Sequence, residues 1–428
     1  MKRTTTSFPI NNVILCKQQM LNWINQFSIC CFLDNHQYPS TLESVECLAA
    51  AGAVQIFSPL KNSLSQLNEF CKQTNDWLFG HVNYDLKNEI DPLHSSHPDY
   101  INFPTIFFFQ PETVIQLSHE LITISTLTKD PETVFQELTN SPLTIDHRPS
   151  TIETKSRISK EEYISTIEKL LTHIKRGDCY EINYCQEFYA EEANIDPLHV
   201  YNRLMEVSPN PFSCYYKLKD KYVICASPER FIQKRGNRIL SQPIKGTAKR
   251  DLTNQGKDQV LKKQLFESEK DKSENVMVVD LVRNDLSRIC KEGSVEVDEL
   301  FGVYSFPQVH QMISTITGEI KEGIDIAEII KACFPMGSMT GAPKRRVMEL
   351  IEQYEKTKRG IYSGTIGYLN PEKDFDFNVV IRSIFFNETN HYLSYLVGGG
   401  ITFYSNPENE YEECLLKAKA INKVLKGN

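Results

Sequence analysis

The sequence predicts an α+β fold built on largely antiparallel sheets. From about residue 180 onward, strand-like runs follow one another with few helices between them. A long helical segment comes at about residues 258–284, and another begins at about residue 408. Because strands and helices are grouped in this way and do not alternate, antiparallel sheets are favoured over a parallel sheet of βαβ units.

Bulk composition predicts a soluble protein that acts on a small molecule. The 428 residues are 40% hydrophobic, enough for one large core or two medium ones. With 47 Lys and Arg against 55 Asp and Glu, the net charge of -8 provides no broad basic surface for nucleic acid. The 12 cysteines form no C-x-x-C pair, which favours reduced thiols over zinc ligands.

No segment predicts export or membrane insertion. Polar residues interrupt every apolar run near the N-terminus. The most apolar stretch, Cys47–Val54, is too short to span a bilayer. We therefore expect a cytoplasmic protein with no membrane partner.

Residues 1–140 carry structural elements and no catalytic motif. Strand-like runs, such as Phe27–Leu33, alternate there with short amphipathic helices. Ser40 and Glu43 form a capping box that predicts a helix ending near Gly52.

Residues 141–157, rich in Pro, Ser and Thr, predict a linker or surface crossover. The remaining region, residues 158–428, begins with a strong helix that Ser159 and Glu162 cap and Gly177 ends. The following strand places three side chains on one face, either toward a cleft or toward water: Glu181, Asn183 and Cys185.

Two acidic pairs have the spacing of a carboxylate cluster. Asp271 and Glu274 lie three residues apart on a predicted helix, and Glu410 and Glu413 repeat that spacing near the C-terminus. Each pair therefore projects from one helix face. If the two faces meet, their oxygen atoms suit Mg²⁺. If they do not, both are ordinary solvated faces.

Lys245 stands in a Pro-Ile-Lys-Gly-Thr segment, where the glycine lets the backbone approach a ligand closely. A lysine with the ordinary pKa of about 10.4 is almost fully charged at neutral pH. A nucleophilic role therefore needs burial or a nearby cation to lower the pKa. A surface lysine in a turn is the alternative interpretation.

Two glycine-containing segments are candidate carboxylate sites. Residues 337–344 introduce a helix, whose first N–H groups bind anions, but they lack the Walker A spacing. Gly398, Gly399 and Gly400 follow an apolar strand, where bare N–H groups could contact an anion. Each segment alone is a weak signal.

Taken in chain order, these segments resemble the chorismate-utilising enzymes, which include anthranilate synthase, aminodeoxychorismate synthase, isochorismate synthase and salicylate synthase. The similarity runs from about Ser159 to Lys423. Besides the Lys245 and Ser338 segments it includes Ser227–Phe231, Glu274–Asp285, Tyr362–Gly364, Arg382 and Gly398–Gly400. The resemblance implies a two-subdomain α/β sandwich of large antiparallel sheets with outer helices and a central cleft. Residues 1–140 would form its first, partner-contacting part.

The resemblance also implies a role for each matching position. Glu229 matches the general acid that protonates the departing C4 hydroxyl group of chorismate. Glu274 and Glu413 match direct Mg²⁺ ligands, and Asp271 and Glu410 match residues that hold metal-bound water. The other matches line the substrate pocket or bind the enolpyruvyl carboxylate: Thr247, Ser338, Tyr362, Arg382, Gly398 and Gly399.

Lys245 separates the branches of the family. Anthranilate synthases carry alanine in this motif, whereas aminodeoxychorismate synthases carry the lysine that attacks C2 before ammonia enters at C4. The chain therefore resembles the aminodeoxychorismate branch, a Mg²⁺-dependent transferase of 4-aminobenzoate and folate synthesis. Because no G-x-C-x-G glutaminase elbow occurs, we expect a separate glutamine amidotransferase subunit to supply the ammonia.

Two positions depart from the family pattern. Glu181 stands where ammonia-using members have glutamine and water-using members have a lysine base, so we expect it on the ammonia side of the site. Gln311 replaces a histidine of anthranilate synthases, and the adjacent His310 is expected to be structural. The alternatives are anthranilate synthase component I and a non-catalytic chorismate- or tryptophan-binding homologue.

Overall fold

The computed structural model describes residues 2–38, 45–142, 151–306 and 309–427. The capping box expected at Ser40 and Glu43 lies outside these residues. The helices are α1 Val13–Asn25, α2 Ser63–Thr74, α3 Lys87–Ile90, α4 Pro131–Thr139, α5 Lys160–Lys175, α6 Pro197–Val207, α7 Gln255–Glu267, α8 Glu269–Ile289, α9 Ile326–Cys333, α10 Lys344–Tyr354 and α11 Pro407–Leu425.

The strands fall into an N-terminal and a C-terminal group. The first is β1 Thr4–Pro9, β2 Ile29–Asp34, β3 Cys47–Phe57, β4 Leu78–Val82, β5 Ile106–Leu117, β6 Leu121–Thr126 and β7 Lys155–Ser156. The second is β8 Glu181–Ala190, β9 Phe212–Leu218, β10 Lys221–Ser227, β11 Arg230–Arg235, β12 Arg238–Gln242, β13 Ile244–Lys249, β14 Glu296–Ser305, β15 Val309–Glu319, β16 Gly341–Ala342, β17 Thr365–Leu369, β18 Phe375–Asn378, β19 Ser383–Asn387 and β20 Tyr392–Thr402.

The strands pair antiparallel in two runs that share β5, which confirms the predicted α+β class. One run passes through β1, β6, β5, β3, β2, β9, β10, β19, β20 and β8. The other passes from β5 through β4, β17, β18, β11, β12 and β15 to β13 and β14. The pairs β2–β9 and β4–β17 join residues before position 140 to the later region, so both regions share the same sheets.

Two apolar layers hold these runs together. One layer contains residues from both runs and from α8 and α9, among them Phe108, Phe377 and Val279. The other joins the opposite face of the first run to α1, α5, α6 and α11, with Met20 and Tyr163 at its centre. The first run is therefore apolar on both faces, as a central sheet must be.

Strand β8 shows how this layering positions polar groups. Ile182 and Tyr184 belong to the helix-facing layer, whereas Cys185 belongs to the layer between the runs. Because side chains alternate along a strand, Glu181 and Asn183 point to the same side as Cys185. Both are buried, so this face lines the interior of the fold and does not meet water.

The helix expected to end near Gly52 is wrong, since Cys47–Phe57 is a strand. Leu48 and Ala50 enter one apolar layer while Ala49 and Ala51 enter the other. A strand buried on both faces gives a continuous apolar run, which has no period of two to distinguish it from a helix. Gly52, with φ +70°, directly precedes a shift in pairing register, where a bulge needs a flexible residue.

Other elements agree with the sequence patterns apart from one break. The Glu162 backbone N–H donates to the Ser159 hydroxyl at 3.1 Å, as the capping box predicts for α5. The single helix expected at 258–284 is two helices, because Ser268 ends α7 and caps α8. All 12 cysteines are free, and no helix in the described part of the chain is long and apolar enough to cross a bilayer.

Candidate active site

The two acidic pairs lie on α8 and α11, and the structure brings these helix faces together. Lys270 connects them, with Nζ 3.8 Å from Glu274 Oε1 and 3.8 Å from Glu410 Oε1. On α11, Lys417 Nζ lies 2.9 Å from Glu413 Oε1. Neither pair is therefore an isolated solvated face.

The glycine-rich end of β20 passes between the acidic pairs and Lys245. A Cβ added at Gly399 would lie 3.4 Å from Glu410 Oε2 and 3.8 Å from Glu413 Oε1. One added at Gly400 would lie 2.6 Å from Lys245 Nζ, closer than real contacts allow. The absence of side chains on this strand lets the carboxylates and the lysine approach it closely from two sides.

Asp271 and Glu274 contact the Lys245 segment from the other direction. A Cβ at Gly246 would lie 3.2 Å from Asp271 Oδ1, so the glycine allows α8 to approach β13. Burial raises the pKa of Glu274 to about 7, and the nearby carboxylates of Glu181 and Asp271 add to the increase. Glu274 Oε1 is buried without a hydrogen-bond partner among the described residues. This oxygen therefore lacks the hydrogen bond that a buried carboxylate usually has, although Lys270 Nζ lies 3.8 Å away.

Glu229 lies at the turn between β10 and β11, and hydrogen bonds hold both its backbone N–H and its carbonyl group. Its N–H donates to Ser227 Oγ at 3.2 Å, and its carbonyl accepts from Val379 N–H at 3.0 Å. Burial raises the pKa of its carboxyl group to about 7, although Ser338, Lys245, Arg382 and the Ile244 backbone lower it. A carboxyl group with this pKa is protonated in a useful fraction at neutral pH, as a general acid must be.

We expect Glu229→Gln to raise the thermal unfolding midpoint more at pH 8 than at pH 5. The folded-state pKa of about 7 exceeds the unfolded value of about 4.3. Ionisation therefore costs the folded state stability as pH rises from the lower value to the higher one. Glutamine cannot ionise and avoids this cost. Calorimetry at both pH values measures the difference, with exposed Glu292→Gln as the control. An equal shift at both pH values would contradict the raised pKa.

Lys245 is buried, with only 9% of its surface exposed, and Nζ donates a hydrogen bond to Glu181 Oε1. The alternative of a surface lysine in a turn is therefore wrong. Burial lowers the pKa of Lys245, as the sequence argument requires, but the carboxylates of Glu181, Glu274 and Glu229 raise it above the ordinary value of lysine.

The expected carboxylate clamp lies on the other side of Glu229. Arg382 is partly buried with φ +52°, a conformation that non-glycine residues rarely adopt. Its charge acts on the Glu229 carboxyl group, and its guanidinium donates no hydrogen bond to another described residue. Tyr362 is buried, with Oη 3.4 Å from Cys185 Sγ on β8. Gly398 on β20 pairs with the same Cys185, so this end of β20 lies beside the clamp.

Two further positions are separated from this group. Thr247 lies on β13 with an exposed side chain, and its backbone pairs with Gln311. No described contact links its side chain to the other site residues. His310 is buried between Ser305 Oγ at 2.9 Å and Asp258 Oδ1 at 3.1 Å, as expected of a structural histidine.

Two cations that the sequence places beside the acidic pairs, as balancing charges on solvated faces, belong to the site. Lys270 and Lys417 each lie four residues from a site carboxylate, a spacing that allows an ion pair along one helix. Lys417 Nζ also donates to the Gly398 carbonyl at 2.8 Å, which ties α11 to β20. Buried Arg359 donates to the Asn183 carbonyl at 2.7 Å and pairs with Glu355, and no sequence signal indicated this support of β8.

A cavity of about 510 Å³ lies elsewhere, lined by residues such as Asp34, Glu46 and Tyr368, and none of the site carboxylates lines it. In the part of the chain that the structure describes, no three His, Cys, Asp or Glu side chains already form a metal-binding group. The lysines instead stand among the carboxylates.

Comparison with known proteins identifies the family of the chain. The family described as chorismate binding enzyme matches residues 32–423. Aminodeoxychorismate synthase component 1 of Bacillus subtilis (strain 168) is 33% identical over 361 residues, covering 81% of this chain and 76% of the relative. The chloroplastic aminodeoxychorismate synthase of Arabidopsis thaliana is 37% identical over 365 residues, covering 80% of this chain. This chain spans only 39% of that relative's length.

Among solved structures, anthranilate synthase component I from Streptococcus pneumoniae TIGR4 has a TM-score of 0.77 and 26% sequence identity. The match covers 90% of this chain and 94% of that protein. The likeness confirms the fold expected from the sequence motifs.

Proposed function

This chain belongs to the chorismate-binding enzyme family, and we propose that it aminates chorismate to 4-amino-4-deoxychorismate, the activity of aminodeoxychorismate synthase component I. The observation that carries the proposal is the position of Lys245, buried beside Glu181 and close enough to Glu229 to lower its pKa. A lysine at this point supplies a nucleophile beside a general acid.

The residues around Lys245 have separate roles in this reaction. Arg382 and Tyr362 hold the enolpyruvyl carboxylate, a task that suits the planar guanidinium of arginine. Glu229 donates a proton to the departing C4 hydroxyl group, and Lys245 Nζ forms a bond to C2 of the ring. Ammonia then enters at C4 and the lysine leaves C2. Burial of these groups limits water as a competing nucleophile.

The carboxylate cluster fits Mg²⁺. Its donors are all carboxylate oxygens, which this cation prefers, and the unpartnered Glu274 Oε1 is available to a cation. Glu274 and Glu413 would hold the metal directly, with Asp271 and Glu410 holding its water. When bound, Mg²⁺ neutralises the ring carboxylate and withdraws electrons from the ring.

The ammonia comes from a separate glutamine amidotransferase subunit under this proposal. The name component 1 of the Bacillus subtilis relative supports a partner. Glu181, buried at the start of β8 and hydrogen-bonded to Lys245, would receive the ammonia.

A product assay tests the proposal. The purified chain with chorismate, Mg²⁺ and ammonium should form aminodeoxychorismate, identified by chromatography, and no fluorescent anthranilate. With glutamine in place of ammonium, we expect almost no product until the matching amidotransferase is added. Anthranilate as the main product would favour the anthranilate synthase alternative. Chorismate binding without turnover would favour a non-catalytic homologue.

A further inference from the structure

We propose that Glu181 removes the proton from Lys245 Nζ and so generates the amine that attacks the substrate. The inference rests on the proposed function and adds to it a proton acceptor for the nucleophile. It also replaces the expected role of Glu181 as a residue for ammonia alone.

The contact between the two side chains is direct and enclosed. Glu181 Oε1 accepts a hydrogen bond from Lys245 Nζ, and Glu181 is only 1% exposed. Among the described residues, Glu181 is the one hydrogen-bond acceptor that Nζ contacts. Gly400 lies against both groups, since a Cβ there would be 2.6 Å from Nζ and 2.7 Å from Oε1. Proton transfer within this pair needs no rearrangement and no water.

The second oxygen of Glu181 supports a role beyond that of a fixed counterion. Oε2 is buried and has no hydrogen-bond partner among the described residues. A permanently charged buried carboxylate would leave this oxygen uncompensated, at a considerable cost in free energy. Transfer of one proton from lysine to Glu181 leaves both groups neutral and removes that cost.

In the proton transfer, one N–H bond of the Lys245 ammonium breaks, its electron pair stays on Nζ, and the proton bonds to a Glu181 oxygen. The carboxylate becomes a neutral carboxylic acid. The electron pair on Nζ then forms the bond to C2 while the C4 hydroxyl group leaves as water with the proton from Glu229. When ammonia displaces the lysine, Nζ leaves C2 as a neutral amine and takes its proton back from Glu181, and the new ammonium group on C4 returns a proton to Glu229.

Such a base is needed because the nitrogen of an ammonium group has no free electron pair with which to attack the ring. Glu274 on α8, Glu229 between β10 and β11, and Glu413 on α11 also interact with Lys245, but none of them has a described hydrogen bond to Nζ. Glu181 is the carboxylate in hydrogen-bond contact, so it is the one placed to accept the proton.

Adduct formation measured against pH tests the assignment. The full chain with Mg²⁺ is mixed with chorismate without ammonia, quenched at set times, and analysed by peptide mass spectrometry for the Lys245 adduct. In the parent chain, proton transfer stays within the pair, so the rate should fall only about twofold from pH 5.5 to 7, as Glu229 with its pKa of about 7 begins to lose the proton that it donates. In Glu181→Gln, the proton must reach solvent, so the rate at pH 6 should fall at least tenfold. It should then rise about tenfold per pH unit toward neutrality.

Two further variants separate a base from a structural residue. Glu187→Gln changes another buried carboxylate on the same strand, one paired with Arg157 at 2.9 Å, and should keep the parental pH profile. Glu181→Ala should recover adduct formation when formate is added, whereas formate should not accelerate the parent chain. The formate rescue still tests the role of Glu181 if the Glu181→Gln variant does not fold.

The outcomes are distinguishable. A Glu181→Gln variant with the parental rate and pH profile would overturn the role of Glu181 alone. So would the absence of formate rescue in a folded Glu181→Ala variant. A parent chain that makes aminodeoxychorismate without any Lys245 adduct would overturn the covalent role of the lysine, and this inference with it.

Discussion

Lys245→Ala is expected to lower the rate of chorismate amination by about a thousandfold or more, since loss of a catalytic nucleophile has effects of at least this order. The buried ammonium group is surrounded by Glu181, Glu274 and Glu229, so alanine removes both the nucleophile and their countercharge. Steady-state rates with ammonium, measured by chromatography of the product, test this expectation.

Lys249→Ala is the matched control for this loss. Lys249 lies four residues further along β13 with its side chain exposed, and its replacement should leave the rate unchanged. Circular dichroism and chorismate binding show whether the Lys245 variant is folded. A folded Lys245→Ala variant that makes aminodeoxychorismate at the parental rate would exclude a nucleophilic role for this lysine.

Glu274→Ala is expected to reduce Mg²⁺-dependent turnover by more than about a hundredfold, because even residues that only support metal ligands commonly contribute 10–100-fold. Its thermal stability should not fall. The carboxylate is buried with a raised pKa and an unpartnered oxygen, so its removal relieves an unfavourable burial. The loss of the 3.8 Å contact with half-exposed Lys270 costs little in comparison.

Metal binding by calorimetry, turnover and thermal unfolding together test this second expectation. Glu413→Ala should lose turnover in the same way, whereas two exposed carboxylates on the same helices are controls. Glu269 on α8 and Glu412 on α11 are 90% and 64% exposed, and their alanine variants should retain parental turnover. Full turnover of the parent chain in excess chelator would contradict the metal requirement.

The acidic pairs show what sequence periodicity can predict and what it cannot. An i,i+3 spacing on a predicted helix places Asp271 beside Glu274 whatever the fold, because helix geometry is local. That α8 and α11 then face each other, close enough for Lys270 to lie 3.8 Å from a carboxylate on each, depends on the packing of the whole fold. Nothing within either helix encodes that arrangement.

Strand β3 shows what sequence periodicity does not decide. It contains a run of small apolar residues that suits a helix or a strand equally. Only the two apolar layers on either side of Cys47–Ala51 decide the matter. The same applies to Arg359, whose burial beside Glu355 depends on partners far away in the chain.

By itself, the sequence determined the antiparallel α+β class and the helices that begin at capping residues, and its motifs proposed the residues of the candidate site. These features follow from local spacing and from motifs that occur in a fixed order. The tertiary structure decided the surroundings of Lys245. The sequence argument requires burial, which lowers the pKa of Lys245, and the folded chain adds three carboxylates that raise it. Electrostatic interaction depends on distance in space, and residues 64 positions apart, such as Glu181 and Lys245, acquire that distance only on folding.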